Sequence, residues 1–210
     1  MAANRVVAYI DGYNLYHGLI DARMRNSRWL DLRAVCKSQM RKGQNLEFVR
    51  YFTTRIRNDP RRSERQSRFI DAIEGLGGVF IDYGYFQSKN MHCYSCGHTW
   101  QQSEEKKTDI NIAVRLLEDA QDDKFDTAIL ISGDGDLAPA IESVRSRTPE
   151  KRIVVAFPPK RNSFELQRVA HAHKRISRAT ILSCHLPTTV TTSSGQLIEA
   201  PDGWLPTHAK

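Results

Sequence analysis

No stretch of this sequence approaches the roughly 18 consecutive apolar residues that a membrane-spanning helix needs, so insertion by a helix is excluded. The segment from Met1 to Arg5 also lacks the basic start and apolar run of a secretory signal. Cysteine is scarce. Cys36, Cys93, Cys96 and Cys184 are too few and too unevenly spaced to staple a chain of 210 residues. Together these absences lead us to expect a cytoplasmic protein with reduced thiols and no membrane partner. No internal repeat is present, which removes solenoids and propellers from consideration. What is abundant is positive charge: 31 Lys and Arg against 24 Asp and Glu give a formal net charge of +7. Such a balance favours a polyanionic partner, nucleic acid first.

The length suits one α/β domain with a modest extra element. Apolar runs of strand length alternate with helix-period segments, the pattern of a mostly parallel sheet with helices on both faces. The expected strands are Val6 to Ile10, Leu46 to Thr53, Val79 to Tyr85, Thr127 to Ile131, Arg152 to Phe157 and Ala179 to Cys184. The expected helices are Asn14 to Arg23, Leu32 to Arg41, Pro60 to Leu76, Thr108 to Gln121, Leu137 to Arg147 and Ser163 to Ser177. Asp59-Pro60 has the form of an N-cap followed by proline in the first helical position. Two regions break the alternation: a Cys-containing insertion at 87–107, and residues 187–210, whose Thr, Ser and Pro content predicts a mobile tail.

The chemistry concentrates at strand ends. RVVAYIDGYNLYHGL places Asp11 just beyond the first strand, where open α/β sheets bind their ligands, and Gly12 permits the turn that follows. AILISGDGDLAPAI ends the fourth strand in the same way and presents Asp134 and Asp136. KKTDINIAVRLLEDA sets Asp109 in the first turn of a helix whose apolar stripe is expected to include Ile110, Val114 and Leu117. Four carboxylates gathered at one edge repel one another, and a divalent cation relieves that repulsion. Oxygen ligands suit Mg²⁺ or Mn²⁺, and with them phosphodiester hydrolysis. The competing structural roles are ordinary ones: Asp136 as a helix cap and Asp109 as a partner for its helix dipole.

These three segments, YIDGYNLYHGL, KKTDINIAVRLLEDA and ILISGDGDLAPAI, resemble in their order the NYN family, a branch of the PIN-like nucleases. The resemblance implies a Rossmann-like PIN fold over residues 1–186 and Mg²⁺- or Mn²⁺-dependent endonuclease activity, usually on RNA, with single-stranded DNA still open. It carries the acidic metal site onto Asp11, Asp109, Asp134 and Asp136. Asn14 matches the polar residue after the first Asp, and Ser132 the residue that opens the SGD turn. Other classes remain in view. One is an RNA-binding or regulatory module of the same fold without turnover. Another is a phosphatase of the haloacid dehalogenase type, which would need an Asp where Tyr13 stands.

Arg55, Arg57, Arg61, Arg62, Arg65 and Arg68 form a basic ridge that would position a phosphate backbone without reading its sequence. Lys106 and Lys107, just before Asp109, are placed to reach a phosphate, and the resemblance strengthens that reading. Tyr13 and Tyr16 follow the acidic turn and could stack on a base. A second basic patch, including Arg168, Lys174 and Arg178, carries less weight. Finally, Cys93 and Cys96 with Gly97 have the CxxCG form of half a zinc site. Structural zinc takes four ligands, so His92, His98, Cys36, Cys184 or a second subunit would have to complete it, and a homo-oligomer stays open.

Overall fold

A computed structural model describes residues 3–106 and 108–206, with the backbone alone at 85–89 and 101–106. Its centre is a six-stranded sheet in which every pairing is parallel. The strands are β1 (Asn4–Asp11), β2 (Gln44–Thr53), β3 (Val79–Tyr83), β6 (Thr127–Ile131), β7 (Arg152–Phe157) and β8 (Ala172–Arg175). Between β3 and β6 the insertion forms its own antiparallel hairpin, β4 (Tyr85–His92) with β5 (Thr99–Lys106).

The sheet order is β3-β2-β1-β6-β7-β8. From β1 the chain winds outward through β2 and β3, returns to the centre at β6, and winds the other way through β7 and β8. The winding therefore reverses between β1 and β6, and the crevice above that point is the general ligand position of doubly wound sheets. Helices follow the same logic. Helices α1 (Gly12–Asp21), α2 (Leu32–Gln39), α3 (Pro60–Gly75) and α7 (Arg178–Ser183) cover one face. Helices α4 (Thr108–Gln121), α5 (Ala138–Arg147) and α6 (Phe164–Val169) cover the other. Strand β1 serves both layers by simple alternation: Val6, Ala8 and Ile10 join the first core, Val7 and Tyr9 the second. No described helix is long and apolar enough to cross a membrane.

Several expectations are met residue by residue. Asp59 caps α3 by accepting from the Arg62 N–H at 3.0 Å, with Pro60 in the first turn. Others need correction. Ala179 to Cys184 is mostly helix α7, capped by Ser177, and the sixth strand is instead the short edge strand β8, inside the segment expected to be one long helix. Only Phe164–Val169 of that segment is helical. Edge position explains the error: β8 buries little, so its sequence AHKR carries no apolar run.

The buried face of α4 is Ile112, Leu116 and Ala120, whereas Ile110 is 64% and Val114 44% exposed. The rotation is set by a polar anchor. Asp119, also on the inward face, accepts from Tyr9 Oη at 2.8 Å and from Arg50 Nε at 2.7 Å. Arg50 in turn approaches Asp82 at 3.5 Å. Burial and the Asp119 charge both push the Tyr9 hydroxyl well above its usual pKa, so it remains a donor.

The tail is not loose over 187–206. It forms a small antiparallel hairpin, β9 (Thr189–Thr191) with β10 (Leu197–Glu199), and buries Val190, Ile198 and Trp204 in the first core. Backbone bonds from Arg28 and Trp29 to the Trp204 carbonyl, both 3.2 Å, fasten it. Thr192 occupies the space above Gly75 that a side chain there would need. Sparse but well-placed apolar residues outweigh the Thr and Ser content.

Arg50 should be a strong stability determinant. Arg50→Ala leaves the Asp119 carboxylate buried without its guanidinium, which costs about 3–5 kcal/mol for a buried pair. Urea unfolding checks this against Arg61→Ala, an exposed change expected within about 0.5 kcal/mol of the parent.

Candidate metal centre at the sheet switch point

Asp11 is the last residue of β1 and the N-cap of α1. Its Oδ1 accepts from the Asn14 backbone N–H at 2.9 Å, and its Oδ2 accepts from the Ser132 hydroxyl at 2.8 Å. It is only 2% exposed. The strand-to-helix turn can be this tight because Gly12 has no side chain: a Cβ there would lie 2.6 Å from the Phe52 carbonyl oxygen and 2.8 Å from the Tyr51 ring.

Next to Asp11, the end of β6 supplies a second wall. Ser132 is fully buried and accepts from the Asp134 N–H at 3.0 Å while donating to Asp11. Asn14 Oδ1 accepts from the Gly133 N–H at 3.0 Å, which ties the β6 turn to α1. Asp134 then caps a 3-10 turn (Gly135–Leu137), its Oδ1 accepting from the Asp136 N–H at 3.0 Å. Asp109 comes from the opposite core layer, in the first turn of α4.

These elements bring one carboxylate oxygen each from Asp11, Asp109 and Asp134 within 4.8 Å of one another. The expectation of four converging carboxylates is thus met by three. Asp136 is exposed and outside this group, because its place in the 3-10 turn offers its backbone N–H to Asp134. Among the described residues this is the one such gathering of His, Cys, Asp or Glu. A donor set of carboxylate oxygens alone fits a hard divalent cation.

The other expected residues fall into distinct groups. Asn14 and Ser132 frame the centre through the bonds above. Arg62 and Arg65 line a pocket beside Gly12 and Tyr13, and Arg57 and Arg61 are exposed nearby in sequence. Arg55 is engaged in bonds of its own: it donates to Tyr83 Oη at 2.6 Å and to Ser67 Oγ at 3.2 Å. Lys106 ends β5, with its side chain outside the described atoms, and Lys107 lies outside the described residues. In the second basic patch, Arg168 lies 3.5 Å from Glu142 and Lys174 donates to the Gln39 carbonyl at 2.6 Å, so both charges are engaged elsewhere.

Cys93 and Cys96 sit in the turn between β4 and β5, with Gly97 at φ +69°. Hydrogen bonds from Cys96, through backbone and thiol, and from the Ser95 backbone lower the Cys93 pKa. No third ligand of the described residues joins them, and Cys36 and Cys184 are buried in the first core. Burial pushes the thiols of Cys36 and Cys184 up in pKa, consistent with inert core residues.

Two contributors escaped the sequence reading. Arg161, in the loop after β7, packs its Cβ 2.8 Å from where a Cβ on Gly133 would stand and pairs with Asp21 at 2.6 Å. Trp204 lines the pocket beside the centre from the far end of the chain. Nothing local in the sequence marked either one.

With the geometry in place, comparison identifies the chain as a member of the NYN domain family, whose model matches residues 5–177. That family belongs to the PIN-like nuclease superfamily. The chain is also 27% identical to 6-hydroxy-3-succinoylpyridine 3-monooxygenase HspA of Pseudomonas putida, over 87% of this chain and 70% of that protein. A protein of unknown function from Vibrio parahaemolyticus has the same fold, with a TM-score of 0.55 and 18% identity over 84% of this chain and 95% of its own.

Ser132 is expected to matter without touching a cation. Ser132→Ala removes the bond that orients Asp11, and such outer partners typically set about 10–100-fold of metal affinity. Mn²⁺ titration followed by electron paramagnetic resonance should show at least about tenfold weaker binding by that measure, with unfolding by urea showing the fold retained.

Proposed function

We propose that the protein is a metal-dependent endoribonuclease, a reading carried by the three carboxylates within 4.8 Å at the switch point of an NYN domain. Asp11, Asp109 and Asp134 would hold Mg²⁺ or Mn²⁺. Bound there, the cation would neutralise phosphate charge and lower the pKa of a coordinated water. Ser132 and the N-terminus of α1 hold the Asp11 carboxylate in its ligating orientation. Asp136, exposed beside Asp134, is assigned an outer role through solvent. The cationic side of the site, led by Arg62 and Arg65, would grip the phosphates on either side of the bond that is cut.

The monooxygenase relative supports a second reading, a small pyridine carboxylic acid as substrate, because an aromatic and arginine-lined pocket adjoins the centre. The donor set favours the nuclease: oxygen-activating iron sites characteristically use imidazoles with a single carboxylate, and no histidine of the described residues belongs to the acidic group. For Cys93 and Cys96 we propose half of a structural zinc site. Stoichiometric zinc on elemental analysis supports it, and its absence with both thiols freely alkylated returns the segment to an ordinary turn.

The central test is Asp11→Asn. The change removes a ligating charge and keeps the shape, so cleavage of RNA should fall by at least about a thousandfold, in line with the several kcal/mol that metal assistance supplies. RNA binding in gel shift should stay close to the parent, because affinity rests on Lys and Arg contacts to phosphate. Cleavage by Asp11→Asn at the parent rate in saturating Mn²⁺ would sink the proposal, and oxygen uptake with 6-hydroxy-3-succinoylpyridine and a reduced nicotinamide would replace it with the second reading.

A further inference from the structure

Immediately beside the acidic centre lies a pocket of about 250 Å³ that shares Gly12 and Tyr13 with the turn after Asp11. Its composition is unlike that of the centre. Arg28, Arg62 and Arg65 line it, and no carboxylate of the described residues does. Aromatic rings make up much of the rest, with Tyr13, Tyr16 and His17 on α1, Tyr51 on β2, and Phe69 beneath.

The walls are built before any ligand arrives. Gln66 uses both ends of its amide to staple α3 to the end of β2, accepting from the Ile56 N–H at 2.9 Å and donating to the Thr54 carbonyl at 2.9 Å. The Tyr13 and His17 ring centroids lie 4.2 Å apart, and Tyr13 as a residue is 52% exposed. Trp204 closes the far side. Its ring carries the Arg28 guanidinium at 4.8 Å, and its indole Nε1 is buried with no hydrogen-bond partner among the described residues. Burial also depresses the Arg28 pKa, the condition in which a guanidinium gains most from a nearby anion.

A site that is cationic, aromatic and, among the described residues, free of carboxylates fits a planar ring carrying an anionic group. Resting on the nuclease reading above, we infer that this pocket takes one unstacked nucleotide next to the bond that is cut, its base against Tyr13 and its phosphate on Arg28 and Arg65. A paired base cannot enter such a pocket, so the arrangement selects single-stranded RNA over duplex. Stacking tolerates every base because each has a π face, and the guanidiniums read phosphate alone, so sequence preference should be weak.

The test is binding of adenosine 5′-monophosphate and uridine 5′-monophosphate to the full chain in EDTA, where hydrolysis does not contribute. The Trp204 indole N–H resonance, assigned with Trp204→Phe, reports the contact. Both nucleotides should shift that signal saturably, whereas ribose 5-phosphate should bind at least about tenfold more weakly, as loss of one stacked base implies. Tyr13→Ala and Arg65→Ala should each weaken nucleotide binding by about tenfold on the same grounds, and Arg147→Ala, an exposed cation at the end of α5 on the other face of the sheet, should not. Tyr13 is exposed enough that its removal does not threaten folding, which keeps the test interpretable if Trp204→Phe is unstable. Equal binding of ribose 5-phosphate, no effect of Tyr13→Ala, or tighter binding of 6-hydroxy-3-succinoylpyridine than of either nucleotide would overturn the inference. Each of these outcomes can occur while Asp11→Asn still abolishes RNA cleavage, so failure of the pocket assignment and failure of the nuclease reading are separable.

Discussion

Two unit charges of like sign about 4 Å apart near a protein surface repel by about 4 kcal/mol, and everything at the centre follows from holding three carboxylates near that distance. The backbone does the holding. Asp11 is fixed because it is also a helix cap and accepts from a buried hydroxyl, so it cannot swing outward to relieve the repulsion. Asp134 is likewise committed to capping its own turn. Asp11 and Asp134 are thus each anchored by hydrogen bonds, and a bound cation would offset the repulsion among the three carboxylates.

Asp109 brings the constraint to the scale of the whole fold, since it arrives from a helix packed in a different core layer. Helix α4 could slide or rotate on a purely apolar interface, where Ile112, Leu116 and Ala120 offer little directional preference. The Asp119 carboxylate removes that freedom by accepting from Tyr9 on β1 and Arg50 on β2. Asp119 lies about 15 Å along the helix axis from Asp109, so a polar lock at one end sets the rotation that aims the other. Tyr9 and Asp11 belong to the same short strand, and the lock and the centre therefore share one rigid reference.

Much of this was legible in the chain because parallel strands buried on both faces must be continuous apolar runs, and β1, β6 and β7 are. The Asp-Gly and Ser-Gly-Asp turns were legible too, since a carboxylate directly after such a run has few structural uses. What escaped depended on neighbours. Strand β8 is an edge strand and shows no apolar signature, while Ile181 and Cys184 look like strand residues but belong to a short capped helix and its end. The stripe on α4 was read one face away because a buried Asp119 is indistinguishable from a surface carboxylate until Arg50 is found opposite it. Val190, Ile198 and Trp204 are so widely spaced among Thr and Ser that composition concealed a docked segment.

That docked segment links the cationic pocket to the stability of the chain's end. Trp204 is packed against Phe69, ring to ring at 6.0 Å, and beneath Arg28, so the wall that would meet a nucleotide is also what fastens the tail. The two charged regions are matched in consequence. An acidic centre by itself repels phosphate, and over the roughly 8 Å that physiological salt leaves unscreened nearby guanidiniums add to what a bound cation would offset. Arg28, Arg62 and Arg65 line a pocket that adjoins the centre through Gly12, so the guanidiniums that would offset this repulsion sit on the side of the sheet covered by α1 and α3.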